Sequence, residues 1–119
     1  MALDLGKFTA IEWDSDEDPD GNLVHCMQPL HLGANPVRVV YEVLSESPVE
    51  VTLRVQTARF AVVGPDRSGA TLWLVLLDTS SVRGDFLRPV TGWRAELAER
   101  RAWQQGQRGG RVVRAWLAP

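Results

Sequence analysis

Three arginines and one histidine are of the residue types that phosphate chemistry requires. Arg54 lies on the polar side of the strongest predicted strand, Arg59 follows five residues later across an expected hairpin, and Arg88 belongs to a later strand. If these guanidinium groups converge on one concave sheet face, they would bind phosphate bidentately and stabilise a pentacoordinate transition state. His25 could transfer protons near neutral pH. The alternative is that each arginine is a solvated strand residue and that His25 is a histidine with satisfied hydrogen bonds at a helix start.

The acidic segment before this histidine raises the question of a cation site. It matches the first half of an EF-hand loop, in which carboxylates occupy positions 1, 3 and 5. The three carboxylates are Asp16, Asp18 and Asp20. Position 12 requires a bidentate carboxylate and is Met27 here, and a strand rather than a helix is expected before the loop. We therefore expect no metal site and no cofactor, and we keep cation binding at Asp16–Asp20 as a third functional option.

The composition is that of one small domain without a membrane span. A chain of 119 residues, 45% of them hydrophobic, can bury a small core. The longest apolar run, Leu72–Leu77, has six residues, whereas a membrane helix needs roughly 20. No signal-peptide pattern is visible, and the single cysteine, Cys26, is typical of a reducing compartment. We expect a cytoplasmic protein that does not bind membranes.

Charge is unevenly distributed along the chain, although the net charge is only −2. Residues 1–50 carry ten acidic side chains against two basic ones, whereas residues 94–119 carry six arginines against two glutamates. One interpretation is an acidic face and a basic face, of which the basic one attracts nucleic acid. The other is a solvated surface whose opposite charges meet within the fold or across a dimer interface.

Apolar spacing predicts two helices in the first half of the chain, after a strand over 8–13. Asp20 and Asn22 offer capping side chains for the first helix, which Gly33 ends. Asn35-Pro36 is typical of a second helix start, because a capping asparagine precedes a proline at the first helical position. The second helix ends before Pro48. A strand over 37–43 is the competing prediction, since short apolar runs are ambiguous.

Four strands are predicted in the second half: one from alternating apolar and polar residues, its hairpin partner, a buried apolar run after a turn, and a further strand after a loop. The alternation is clearest from Val49 to Gln56, and Pro89 indicates that the last strand is an edge strand or carries a bulge. Good helix formers then predict a C-terminal helix that stops at Gly106. The predicted ranges are 49–56, 59–64, 71–78 and 86–93 for the strands, and 94–105 for the helix.

The order β-α-α-β-β-β-β-α predicts an α+β fold. Two N-terminal helices should pack on one face of a largely antiparallel sheet of four to five strands, followed by the C-terminal helix. We expect this single domain to span residues 1–106. Residues 107–119 form a C-terminal extension that could be flexible, add an edge strand, or dock through Trp116.

The order of residues resembles that of the BrnT-like toxins, a family with a RelE/ParE-like ribonuclease fold. Trp13-Asp14, the acidic loop, Asn22-x-x-His25 and the Asn35-Pro36 helix are similar to the N-terminal half of that family. Segments 58–64, 71–77 and 88–93 resemble its hairpin and its last two strands. The similarity covers about residues 8–94.

The resemblance implies a toxin of a type II toxin–antitoxin pair that cleaves RNA without a metal ion, by attack of a 2′-hydroxyl on the adjacent phosphate. Arg54 and Arg59 would contact the phosphate and its transition state. Arg88 is a further candidate phosphate ligand from its residue type and strand position, not from the resemblance. His25 would transfer or orient a proton. The expected partners are RNA and an antitoxin protein that covers the basic face.

The alternative is a non-catalytic interaction module on the same fold, a degenerate toxin-like protein that binds a protein partner or its own copy. Aromatic and arginine side chains are the residues that interface centres favour. The C-terminal candidates for such an interface are Trp103, Trp116, Arg111 and Arg114.

Overall fold

The computed structural model describes residues 4–46, 48–51 and 59–108. In these residues five strands form one sheet, and three α-helices accompany it. A 3-10 helix over Leu5–Lys7 precedes the first strand. The strands are β1 (Ala10–Ile11), β2 (Val49–Val51), β3 (Arg59–Pro65), β4 (Thr71–Asp78) and β5 (Phe86–Arg94). The helices are α1 (Asn22–Cys26), α2 (Pro36–Ser45) and α3 (Leu97–Arg108).

The sheet is mixed and has the strand order β1-β5-β4-β3-β2. Strands β2 to β5 pair antiparallel with their neighbours along the chain, whereas β1 joins the far side of β5 in parallel. The α+β prediction is confirmed. The prediction of a largely antiparallel sheet is correct for β2 to β5 and wrong for β1, whose partner lies near the other end of the chain.

One face of the sheet carries the main core. Side chains alternate along a strand, so Val62, Leu74 and Leu76 share this face, and all three are buried. Helix α2 packs across it. Gly64 permits the close approach, since a Cβ there would lie 3.4 Å from Cγ1 of Val43 in α2.

Helix α3 packs on the opposite face, against β2 and β3. Val49 pairs with Val63, and both side chains point away from the face that α2 covers. Gly106 lies directly on Val49, because a Cβ added at Gly106 would lie 2.2 Å from Cγ1 of Val49. The predicted packing of an N-terminal helix on one sheet face is therefore correct for α2, whereas α3, for which no face was predicted, packs on the other face.

Helix α2 begins where the sequence predicts and for the predicted reason. Oδ1 of Asn35 accepts a hydrogen bond from the backbone N–H of Arg38 at 3.3 Å, and Pro36 occupies the first helical position. The helical prediction is confirmed over Pro36–Ser45, and the competing strand over 37–43 is wrong.

The other two helices differ in length from their predictions. Helix α1 ends at Cys26 instead of reaching Gly33, and the chain continues in turns in which the N–H of Leu32 donates to the carbonyl of Cys26 at 2.9 Å. Helix α3 passes through Gly106 and ends at Arg108. The glycine is tolerated inside α3 because it removes a clash with β2, so it does not act as a stop.

Pro89 lies in an interior strand, next to a bulge. Val75 pairs with Thr91 and Leu76 pairs with Pro89, so Val90 is the extra residue of β5. A proline cannot donate to a ladder of backbone hydrogen bonds, and a bulge is one of the places where it is tolerated. The prediction of a bulge is confirmed. Strand β5 is interior in the strand order, but β1 pairs with it only at Phe86 and Leu87, so no strand of the described residues lies beside Pro89 on that side.

Some sequence predictions concern residues outside the described ranges. These are the second half of the predicted strand over 49–56, which contains Arg54, and most of the extension, with Arg111, Arg114 and Trp116. The division into residues 1–106 and 107–119 stays a prediction. Across residues 4–46, 48–51 and 59–108, the structure contains no helix that is long and apolar enough to cross a membrane.

We predict that Gly106→Ala destabilises the protein by about 1–3 kcal/mol, as overpacking does. The usual effect of this substitution inside a helix is the opposite, a gain of about 1 kcal/mol. The sign should reverse here because the new Cβ meets Val49. Urea unfolding followed by tryptophan fluorescence measures the difference. The double variant Gly106→Ala, Val49→Ala should lose less free energy than the two single variants combined, and simple additivity would contradict the packing described here.

Candidate functional site

A buried asparagine connects the acidic loop to the sheet. The side-chain amide of Asn22 donates to the carbonyl of Glu12 at 3.0 Å and to the carbonyl of Pro89 at 2.8 Å. Its Oδ1 accepts from the backbone N–H of Asp14 at 2.9 Å. Three of the amide's hydrogen bonds thus tie two parts of the loop and strand β5 to one side chain, which is 6% exposed.

The sequence interpretation of Asn22 as a helix cap is therefore wrong in detail. The N-cap residue of α1 is Gly21, and it makes no side-chain capping bond. Asn22 is the first helical residue, and its side chain turns away from the helix toward β5. The tight fit also requires Gly21, because a Cβ at that position would lie 2.6 Å from Cβ of Asp14.

Asp14 and Arg88 form the second connection between the loop and β5. Nη1 of Arg88 donates to Oδ1 of Asp14 at 3.0 Å, and Nη2 donates to Oδ2 of the same carboxylate. Oδ2 also accepts from the backbone N–H of Asn22 at 2.9 Å. Hydrogen bonds from Arg88, and next from Asn22, hold the pKa of the Asp14 carboxyl below its usual value, and the same pair raises the pKa of Arg88.

These connections place α1 beside β5, which brings His25 to Thr91. Nε2 of His25 lies 2.9 Å from Oγ1 of Thr91, and the His25 ring is exposed. Its neighbour is the His31 ring, at a centroid distance of 4.3 Å and an interplanar angle of 40°. Nδ1 of His31 lies 3.1 Å from the carbonyl oxygen of Gly92.

Arg59 and Arg88 lie in one row across three strands. Arg59 pairs with Leu77, and Leu77 pairs with Arg88, so all three side chains share the sheet face opposite α2. Adjacent strands are about 4.8 Å apart, which separates the two arginine Cα atoms by about 10 Å. Thr91 lies on the same face, opposite Val75.

An open depression of about 530 Å³ lies where this row meets α1. His25, Arg59, Arg88 and Thr91 all line it. Three of the residues that the sequence singled out for phosphate chemistry thus come together, although they belong to a helix and two different strands. Arg54, the fourth, is outside the described residues.

The two arginines of the depression are in different states. Arg59 is exposed and, among the residues that the structure describes, takes part in no ion pair. Its guanidinium group is available for an anion. Arg88 is already paired with Asp14, so an anion would have to share it or displace the carboxylate. The depression can hold a single phosphate beside the His25 imidazole. Of its two described arginines, Arg59 is available for the phosphate and Arg88 is partly neutralised by Asp14.

The described residues offer no ligand set for a metal ion. No group of three or more His, Cys, Asp or Glu side chains in them is arranged to hold one. In the acidic loop, Oδ1 of Asp18 instead accepts from the backbone N–H of Asp20 at 3.0 Å, closing a turn. Cys26 is buried, and burial raises the pKa of its thiol to about 11, which disfavours the thiolate that nucleophilic chemistry needs.

A second and larger depression, of about 820 Å³, lies between the α1–α2 connection and the β3–β4 turn. Two of its charged residues already have partners: Arg38 pairs with Glu42 at 2.8 Å, and Asp66 accepts three hydrogen bonds within its own turn. Neither His25 nor Arg59, the described members of the predicted catalytic set, lines it. Trp103, the described residue of the predicted interface set, lies half-buried in α3 and lines neither depression.

Sequence reasoning missed Thr91 and the roles of Asn22 and Asp14. Their hydrogen-bond partners are 66, 67 and 74 residues away along the chain, so no local pattern indicates them. The available signal was the resemblance, which included Asp14 and Asn22 without explaining what they do.

No protein-family model, curated protein or solved structure matches this chain. The resemblance to BrnT-like toxins therefore stays a prediction.

We predict that Asn22→Ala costs about 3 kcal/mol of stability, because it leaves one buried and two partly buried backbone groups without their partner. It should also release α1 from β5 and separate His25 from Thr91. Chemical unfolding measures the first effect, and the NMR signals of the His25 ring report the second.

Asn35→Ala is the matched control. It removes an exposed asparagine with one capping hydrogen bond, so it should cost only about 1 kcal/mol and leave the His25 signals unchanged. Equal losses in the two variants would show that Asn22 does no more than an ordinary capping residue.

Proposed function

We propose that the depression between α1 and β5 binds RNA, and that the protein is a toxin-type endoribonuclease of the RelE/ParE-like kind that needs no metal ion. The observation that supports this most is the convergence of His25, Arg59 and Arg88 on one open depression. An imidazole beside two guanidinium groups is a suitable set for cleaving a phosphodiester.

The proposed reaction uses the RNA's own 2′-hydroxyl as the nucleophile. His25 removes the hydroxyl proton as the 2′-oxygen bonds to the adjacent phosphorus. The bond from phosphorus to the 5′-oxygen then breaks, and that oxygen takes up a proton from water. The products are a 2′,3′-cyclic phosphate and a 5′-hydroxyl end, and His25 returns its proton to solvent.

Arg59 is the proposed ligand of the phosphate that reacts. Its guanidinium group is exposed and available, and a bidentate contact would strengthen as negative charge grows on the non-bridging oxygens. The partnership with Asp14 gives Arg88 a different part. Asp14 holds the guanidinium group of Arg88 at the edge of the depression, where the group can also donate to a phosphate oxygen.

The charge around the site favours selective binding over strong general affinity for RNA. Asp14 neutralises Arg88, Asp20 also lines the depression, and the chain as a whole is acidic. Because non-specific affinity depends on the number of phosphates that are neutralised, few contacts should be made beyond the reacting nucleotide. An antitoxin, as the toxin proposal implies, would act by covering this same face.

The second candidate is a non-catalytic interaction module on the same fold. The observation that favours it is the Asp14–Arg88 pair, which already satisfies one of the two described arginines of the site. In that case the proposed interface would include Trp103 of α3, together with the C-terminal candidates outside the described residues.

We predict that the purified protein cleaves a single-stranded RNA in the presence of EDTA and leaves 2′,3′-cyclic phosphate ends. His25→Ala should lower the cleavage rate by about 10²–10⁴, as loss of a proton-transfer group does. Arg59→Ala should lower it by about 10², as loss of a transition-state ligand does. Gel electrophoresis of end-labelled RNA measures both rates.

Arg83→Ala is the matched control, because Arg83 is an exposed arginine on the β4–β5 loop that does not line the depression. It should cleave like the wild type. If all three variants and the wild type share the same trace of activity, the activity comes from a contaminant.

Arg54→Ala belongs in the same series, since the sequence analysis predicts a phosphate contact for Arg54. Absence of cleavage with and without ribosomes would favour the interaction module.

A further inference from the structure

The Thr91 hydroxyl lies within hydrogen-bond distance of both histidine rings, so its hydrogen bonds bear on which nitrogen of His25 carries the hydrogen. Nδ1 of His31 lies 3.1 Å from the carbonyl oxygen of Gly92 and 3.4 Å from Oγ1 of Thr91. A carbonyl oxygen only accepts hydrogen bonds, so Nδ1 of His31 carries a hydrogen. That hydrogen is directed at the carbonyl and at the hydroxyl oxygen beside it.

The Thr91 hydroxyl can accept a second hydrogen bond. A hydroxyl oxygen has two acceptor lone pairs, and Nε2 of His25 lies 2.9 Å from this one. With Nε2–H of His25 donating to Thr91, the lone pair of the neutral imidazole is on Nδ1. In that arrangement Nδ1 is the nitrogen of His25 that can receive a proton from a ligand, whereas a Thr91 hydroxyl that donated to Nε2 would leave the hydrogen of the ring on Nδ1.

We propose that Thr91 is a positioning residue, which holds Nε2 of His25 so that Nδ1 receives the proton of the attacking 2′-hydroxyl. This inference rests on the proposed RNA cleavage for its consequence, but the hydrogen bond itself does not depend on any activity. His31 and the Gly92 carbonyl complete the arrangement by fixing the direction of the Thr91 hydroxyl.

The fold supports this role for Thr91. The residue follows directly on the bulge at Val90, which sets the face on which the rest of β5 places its side chains. The hydroxyl is fixed by strand β5, and the imidazole is fixed by α1, which Asn22 ties to the same strand. Strand β5 thus fixes both groups, the Thr91 hydroxyl directly and the His25 imidazole through Asn22.

Thr91→Val tests the proposal, because valine keeps the β-branched shape and removes only the hydroxyl. The rate of the chemical step should fall about 10- to 100-fold, while the dissociation constant for a non-cleavable 2′-deoxy analogue stays within about twofold. Thr91→Ser, which restores the hydroxyl, should recover most of the rate. Thr71→Val, a threonine of β4 outside the depression, should leave the rate unchanged.

An NMR measurement separates this inference from the proposed function. In the wild type, ¹⁵N-labelled histidine should show His25 as the Nε2–H tautomer, with that proton protected from exchange with water. The protection should disappear in Thr91→Val and return in Thr91→Ser. An Nδ1–H tautomer in the wild type, or unchanged protection in Thr91→Val, overturns the positioning role. A wild type that has the protected proton but cleaves no RNA overturns the proposed function, and with it the reaction step assigned to Nδ1.

Discussion

The depression beside α1 depends on the hydrogen bonds of the buried Asn22 side chain. A buried amide that loses its hydrogen bonds costs more free energy than the bonds contribute when made, so its partners are strongly specified. Asn22 satisfies this requirement with the carbonyls of Glu12 and Pro89 and with the N–H of Asp14. The acidic loop, the start of α1 and strand β5 are therefore held as one unit.

The position of the histidine follows from that unit. Helix α1 has only five residues and could not hold a fixed position by its own stability. Because its first residue is tied to β5, His25 one turn later reaches Thr91 on the same strand. The Asp14–Arg88 pair repeats the connection one step along the strand, and it sets the charge of the site by neutralising one arginine while Arg59 stays available. Loop anchoring and site electrostatics thus depend on the same residues.

Local sequence patterns predicted those parts of the fold whose causes are local. The capping Asn35 before Pro36, and the apolar runs next to a turn in β3 and β4, placed their elements within a residue or two. The parallel pairing of β1 with β5 and the docking of α3 through Gly106 depend on contacts between distant segments, which periodicity does not encode. The site divides in the same way. Residue type was enough to suggest His25 and the arginines, whereas the choice of Thr91 as a partner required the bulge in β5 and the placement of α1.

RNA binding in the depression beside α1 is tested most directly by mapping the binding site by NMR. The protein would be titrated with a short single-stranded RNA whose 2′-hydroxyls are methylated, so that it binds and cannot be cleaved. The largest shifts should occur at the His25 ring, the Arg59 guanidinium group and the backbone of β5 around Thr91, and the signals of α2 should not move. Shifts confined to α3 and the residues that follow it, or no shifts at any RNA concentration, would contradict the claim that the depression beside α1 is an RNA site.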